Sequence, residues 1–197
     1  IRIFKKILEI DPKHTNANYN LGLVYYSLGE LKKAKSYLKK TTEIQNNYAM
    51  AFFSLANVHV ELKELKEALS NYQKAIEINP KIVSFYNNLG LLYRELNDFE
   101  NAKKCYKKAI EIKPNHISSH HNLAQIYKEI GKFEKAINSH ETVVKLESEN
   151  LMNYYFLSEL KEDILNVSLK NKIEKTLAKD KITINNLAYG NYLLAKY

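Results

Sequence analysis

One polar position recurs at a fixed distance along this chain. It is occupied four times, at intervals of 34 residues, by Asn20, Ser54, Asn88 and Asn122. A carboxamide offers both a donor and an acceptor, which matches the N–H and C=O groups of an extended peptide backbone. We therefore predict a ladder of side chains that hydrogen-bonds a bound peptide. The alternative is that these amides satisfy polar groups of neighbouring helices.

Histidines suggest a second chemistry, metal binding, because residues four apart share a helix face. The chain has six histidines, and His116, His120 and His121 are close in sequence. However, His59, His120 and His140 stand at positions that hold Tyr or Phe in the other repeats. No suitably spaced carboxylate or thiol completes a site. We expect aromatic substitutes in or near the core, and no metal site.

Motifs that carry catalysis are missing from the sequence. There is no Gly-rich phosphate loop, nucleophile elbow or pair of cysteines. Cys105 is the single cysteine, lies inside a predicted helix and has no evident base nearby, so we expect a structural thiol. We predict a non-enzymatic chain without a cofactor. A single cysteine is compatible with a reducing compartment, and the expected location is the cytoplasm.

The whole pattern belongs to a 34-residue repeat that must position these side chains. Its first half has apolar residues at helical spacing, a turn follows at Gly29, Lys63, Asn97 or Gly131, and a second amphipathic stretch closes the unit. Lys63 lacks the ease of glycine or asparagine in that turn, so we expect strain there. Small residues recur where the two helices must approach closely, at Gly22, Ala56, Gly90 and Ala124. Each unit is predicted to be a helical hairpin that stacks on its neighbours.

Segments such as 86–93 (YNNLGLLY) and 109–114 (AIEIKP) carry a resemblance to the tetratricopeptide repeat family. The resemblance covers residues 1–150, as a half unit over 1–14 and full units over 15–48, 49–82, 83–116 and 117–150. It implies an all-α, right-handed α-α superhelix, or solenoid, of helical hairpins. Residues 151–197 are predicted to be a degenerate, truncated helical extension.

In this family the first helices of successive units line a concave groove. The resemblance therefore places the ladder in a groove that binds a protein or peptide partner. Asn57 and Gln125 extend the ladder. An aromatic wall is formed by Tyr19, Tyr26, Phe53 and His121, unless some of these rings pack between adjacent units. The carboxylate clamp of the family needs Lys and Arg at groove positions, and these positions are mainly neutral here.

The net charge of +8 suggests nucleic-acid binding as a lesser alternative. Most lysines cluster on the second helices, for example Lys32, Lys33 and Lys35, and glutamates such as Glu61, Glu64 and Glu67 are interspersed. No coherent basic stripe follows the repeats. We expect a solvated surface and no specific nucleic acid.

The repeat register fails after Leu157. Two further helices are predicted, about Ser168 to Lys179 and Thr183 to Tyr197, with Ser168 and Thr183 as N-caps. The segment also resembles the region that joins repeats to a sulfotransferase domain in some bacterial proteins. That resemblance implies an alternative role, the accessory arm of a bacterial sulfotransferase.

Both ends of the chain carry unfinished apolar patterns. Ile1 lies partway into a helical pattern, so we expect a trimmed fragment, and end-to-end self-association is an expected property of such ends. No apolar stretch approaches the roughly 18 residues of a membrane span, so no membrane contact is predicted.

Overall fold

The computed structural model of the protein describes residues 1–179 and 181–197. These residues form twelve α-helices and one short 3-10 helix, and none of them lies in a strand. The chain divides into two compact units, Ile1–Ile112 and Lys113–Tyr197. The predicted end of the regular array after residue 150 stays a prediction.

The first unit consists of helix α1 followed by three helical hairpins. Each hairpin pairs a helix of 13 residues with one of 14 residues. The helices are α1 (Arg2–Ile10), α2 (Thr15–Ser27), α3 (Leu31–Ile44), α4 (Ala49–Glu61), α5 (Leu65–Ile78), α6 (Val83–Glu95) and α7 (Phe99–Ile112). The hairpins α2/α3, α4/α5 and α6/α7 begin 34 residues apart, at Thr15, Ala49 and Val83.

Close approach within a hairpin depends on the small-residue position. A Cβ atom added to Gly22 would lie 2.6 Å from Leu38 Cγ, and one added to Gly90 would lie 2.6 Å from Tyr106 Cε1. Ala56 holds the same position in the middle hairpin and is fully buried. Because interiors are close-packed, a larger side chain here would push the paired helices apart. The predicted role of this position in packing is confirmed for the first unit.

The turn inside each hairpin uses a left-handed residue. Gly29, Lys63 and Asn97 have φ values of 72°, 60° and 58°. In each turn the following N–H bonds a carbonyl five residues back, as in the 2.9 Å bond from Glu64 N to His59 O. This is the Schellman pattern that commonly ends a helix. Lys63 therefore takes a conformation that is unfavourable for a residue with a side chain, as expected.

Two histidines of the first unit have structural roles. His59 is buried, and its Nδ1 lies 2.5 Å from Glu64 Oε2 across the α4/α5 turn. His14 precedes α2, and its Nδ1 accepts a hydrogen bond of 3.1 Å from Ala17 N, so it caps that helix. His59 therefore lies in the core, as its place in the column of Tyr25 and Tyr93 predicts, whereas His14 acts as a helix cap.

The second unit begins with one further hairpin and then departs from the repeat. Its helices are α8 (Ile117–Glu129), α9 (Phe133–Leu146), α10 (Leu151–Ser158), the 3-10 helix Glu162–Ile164, α11 (Val167–Leu177) and α12 (Ile184–Leu194). Helix α10 has only eight residues, since the chain leaves the helix where the register fails. Buried residues Leu151, Leu169, Ile173 and Leu193 form a core for the last three helices.

The caps of the last two helices test local predictions. Thr183 caps α12 as expected, because its side chain accepts a hydrogen bond from Asn186 N. Ser168 was the wrong N-cap for α11: Asn166 holds that place and accepts from Leu169 N at 3.0 Å. Both residue types are good caps, and the helix begins two residues earlier than predicted.

Candidate functional site

A hydrogen-bond network joins the predicted ladder residues of α4 and α6. Asn57 Oδ1 accepts from Asn88 Nδ2 at 3.1 Å and from the Tyr72 hydroxyl at 2.6 Å. Tyr72 comes from α5 and is almost fully buried, and burial raises its pKa to about 12. The two carboxamides are therefore joined directly, and a neutral phenol anchors the Asn57 oxygen that joins them.

These carboxamides line a cleft of about 230 Å³, which we call the α4/α6 cleft. Its other lining residues are of three kinds: apolar, phenolic and acidic. They are Val60, Leu91, Leu92, Tyr26, Tyr72, Glu61 and Glu95. Leu91 stays 41% exposed, so the cleft presents apolar surface to solvent beside its polar groups. Such a mixture suits an amphipathic ligand group.

Negative charge in this cleft corrects the expectation of mainly neutral groove positions. Glu61 and Glu95 are the last residues of α4 and α6. Burial and the nearby Glu61 carboxylate both raise the pKa of Tyr26. Lys63 Nζ lies 3.0 Å from Glu95 Oε1 and offsets part of the charge. The sequence prediction that places Glu61 among the charged residues of the second helices is wrong. Glu61 ends a first helix, α4, and lines the cleft.

The acidic position has a sequence signal of its own, separate from that of the asparagines. Glu61, Glu95 and Glu129 stand 34 residues apart, and Ser27 holds the equivalent place in the preceding unit. This acidic column lies seven residues after the ladder position, and therefore about two helical turns further along the same face. Its recurrence could have been found in the same way as that of the asparagines.

Three predicted residues of α2 and α4 interact with their own neighbours instead of lining the cleft. Asn20 Nδ2 donates to Asn16 O of its own helix at 2.8 Å. The Tyr19 hydroxyl lies 3.4 Å from Ser54 Oγ, and the Tyr19 ring packs 4.9 Å from that of Tyr48. Asn20, Tyr19 and Ser54 therefore follow the alternative interpretation, in which these polar groups hydrogen-bond neighbouring groups of the chain.

Phe53 lies in the hydrophobic core between α4, α5 and α6. Its ring centroid is 4.8 Å from that of Phe85 and 5.8 Å from that of Tyr72. Phe85 is fully buried. The ring therefore packs between adjacent hairpins, which is the alternative left open for it, and it does not line the α4/α6 cleft.

The remaining predicted residues, His121, Asn122 and Gln125, lie on α8 in the second unit and are half-buried. The His121 ring contacts Phe156 at 4.9 Å and His140 at 5.5 Å, measured between ring centroids. His140 itself is almost fully buried. His121 thus contributes to an aromatic cluster with α9 and α10.

Cys105 and the histidines give no sign of reactive chemistry. Burial raises the pKa of the Cys105 thiol to about 12, so it stays protonated at neutral pH. Within residues 1–179 and 181–197, no three His, Cys, Asp or Glu side chains are grouped closely enough to hold a metal ion. None of the helices in these segments is long and apolar enough to cross a bilayer.

Lysines of the second helices pair with glutamates one turn away. Examples are Lys33 with Glu30 at 2.5 Å and Lys108 with Glu111 at 2.8 Å. Such exposed pairs contribute little to stability. They do divide the positive charge into small, partly neutralised groups, as the sequence predicts for a solvated surface.

The comparisons with known proteins identify the class of these hairpins. Three family models described as Tetratricopeptide repeat match residues 1–57, 83–116 and 105–138, and a fourth, described as TPR repeat, matches residues 56–94. Residues 1–138 therefore consist of tetratricopeptide repeats, and the predicted repeat family is confirmed. The models give no support to the resemblance of the C-terminal segment to sulfotransferase proteins.

Solved structures of other repeat proteins share the fold. A crystal structure of MamA has a TM-score of 0.72 and 27% identity, covering 75% of this chain and 86% of that chain. PilF of Pseudomonas aeruginosa has a TM-score of 0.72 and 24% identity, covering 92% and 83%. YrrB, described as a TPR protein with an unusual peptide-binding site, has a TM-score of 0.69 and 18% identity, covering 95% and 97%. The all-α, tetratricopeptide-type fold class is confirmed. No curated protein sequence matches the chain.

Proposed function

We propose that this chain is a non-catalytic protein-interaction module and that the α4/α6 cleft binds a peptide segment of its partner. The network that joins Asn57, Asn88 and Tyr72 is the observation that supports the proposal. It holds two carboxamides in fixed positions beside exposed apolar surface. A ligand that meets such a surface does not have to order these side chains, which favours affinity.

The size of the cleft supports a peptide over a small-molecule ligand. Its volume of about 230 Å³ is below the roughly 300–1,000 Å³ of typical small-molecule sites. A cleft of this size accommodates one side chain of a longer ligand. Peptide backbone on either side would then hydrogen-bond with carboxamides of the ladder.

Four predicted residues do not line the proposed site, because their contacts are with neighbouring residues of the chain. They are Tyr19, Asn20, Phe53 and Ser54. Asn122, Gln125 and His121 stay predicted contacts on α8. YrrB shows that the same fold accommodates a peptide-binding site. The support for this particular cleft comes from the contacts of its own residues.

The test uses peptides selected by the immobilised chain from a phage-displayed random dodecapeptide library, with affinities measured by fluorescence anisotropy. Replacing Asn88 and Asn122 together by Ala is expected to weaken binding at least tenfold, about 1.4 kcal/mol. Asn71→Ala with Asn138→Ala is the matched control, because these carboxamides lie on the second helices α5 and α9. Unchanged affinity of the Asn88, Asn122 variant would show that the ladder does not bind the peptide. A library that yields no binder would contradict peptide binding altogether.

The sulfotransferase arm stays an alternative without support from a contact or a comparison. It predicts a phosphate-binding loop in the reading frame downstream of Tyr197 of the parent gene. More repeats or a stop codon at that place would exclude it.

A further inference from the structure

The two glutamates of the α4/α6 cleft stand where helix electrostatics disfavour them. Glu61 and Glu95 end α4 and α6, and the C-terminal end of a helix carries partial negative charge. A carboxylate there destabilises the helix rather than stabilising it. Glu61 has no ion-pair partner within the described parts of the chain. Helix stability therefore does not explain why acidic residues line this cleft.

The carboxylates act on the groups around them. The negative charge of Glu61 contributes, after burial, to the raised pKa values of Tyr26 and Tyr72. Both phenols line the same cleft as Glu61 and Glu95. The cleft thus combines two carboxylates, two helix C-termini and two phenol rings, all of which favour a cation.

The apolar lining adds a second requirement for the ligand. Val60, Leu91 and Leu92 form the apolar lining beside the acidic groups. Lysine and arginine side chains join an aliphatic stem to a cationic head, and they commonly bury the stem along apolar surface while the head stays near polar groups. An acidic or phosphorylated side chain would meet like charge and lose its hydration.

We propose that the α4/α6 cleft selects a lysine or arginine side chain of the bound peptide, with the aliphatic stem on Val60 and Leu91 and the cationic head between Glu61 and Glu95. The inference rests on the proposed function, because it names the partner chemistry of the same cleft. It gives the module the opposite charge preference to a carboxylate clamp, which binds acidic tails through Lys and Arg.

The experiment uses the phage-selected dodecapeptides described above. Lysine and arginine are expected to be enriched among binders relative to the unselected library. In the tightest binder, replacement of the basic residue by norleucine, which keeps the stem and removes the charge, is expected to weaken binding about tenfold. In a Glu61→Gln, Glu95→Gln variant the basic and norleucine peptides are expected to bind within about twofold of each other.

The matched control is Glu77→Gln with Glu111→Gln, which removes the same charge from exposed positions on α5 and α7. This variant should retain the preference for the basic peptide. Binders without basic enrichment, or an equal loss of preference in both double variants, would overturn the cleft assignment while leaving peptide binding intact. The absence of any binder would overturn the proposed function as well.

Discussion

Tyr72 in the first unit and His140 in the second hold the same position of the repeat, two periods apart. Both are buried, yet their polar atoms differ in environment. The Tyr72 hydroxyl donates to Asn57, whereas His140 Nδ1 is buried without a hydrogen-bond partner in the described residues. Burial favours the neutral form of each, so it raises the pKa of Tyr72 to about 12 and lowers that of His140 to about 4.

The difference shows what the repeat period does and does not determine. It determines that a buried side chain packs at this position, since Leu38, Tyr72, Tyr106 and His140 all hold it and all are buried. It does not determine the polar partner, because Gln125 replaces Asn57 at the partner position. Two differences, His140 for Tyr72 and Gln125 for Asn57, therefore explain the contrast. The Tyr72 hydroxyl has a hydrogen-bond acceptor, and His140 Nδ1 has no partner within the described residues.

The largest effect is expected from protonation of His140. An unfolded histidine titrates near pH 6.5 and the folded one near 4, so the unfolded state binds more protons between these values. Stability is then fully present above about pH 6.5 and falls as the pH falls toward 4. Lowering the pH from 7 to 4.5 should cost about 2 kcal/mol through this group alone.

Urea denaturation of the wild type and of His140→Phe at both pH values measures this effect. The Phe variant should lose most of the dependence, because the ring remains and the titratable nitrogen is removed. A smaller dependence should remain from His116, whose pKa burial also lowers. Equal pH dependence in the two proteins would show that His140 keeps a partner for its charged form.

An intermediate effect is expected from the partner of Tyr72. Asn57→Ala leaves the Tyr72 hydroxyl without its acceptor beside an open cleft, where water can replace part of the lost bond, and costs about 1 kcal/mol. Tyr72→Phe with Asn57→Ala removes both partners and should be less destabilising than the sum of the single changes. This double-mutant cycle, measured by urea denaturation, sharpens the comparison with His140. A coupling energy near zero between Asn57 and Tyr72 would mean that their hydrogen bond adds nothing to the separate contributions of the two side chains.

The hairpins, the small residues at Gly22 and Gly90, and the cap at Thr183 were predictable because each depends on neighbours in sequence or on the period. The cleft was only partly predictable. Asn57 and Asn88 were expected at one surface, but the anchoring of Asn57 by Tyr72 depends on a residue of a second helix. Similarly, Asn166 rather than Ser168 caps α11, and both are residue types that favour this position, so sequence alone does not separate them.

The smallest effect is expected at the turns, where two hairpins of the first unit can be compared. Lys63 and Gly29 have nearly the same left-handed φ, and no atom lies within 4 Å of a Cβ built on Gly29. Backbone conformation alone should therefore decide both substitutions. Gly29→Ala is expected to destabilise by about 1 kcal/mol, and Lys63→Gly to stabilise by about 0.5–1 kcal/mol, less the small contribution of the Lys63–Glu95 pair.

Lys63→Asn separates the two contributions at that turn. Asparagine tolerates the left-handed conformation and lacks the ammonium group, so its stability should lie between those of the wild type and Lys63→Gly in urea denaturation. Removing the ammonium group also leaves Glu95 without its nearby cation, and the same variant should bind a basic peptide more tightly. Tighter binding without a gain in stability would indicate that Lys63 acts mainly through its ion pair with Glu95 and that its backbone conformation costs little.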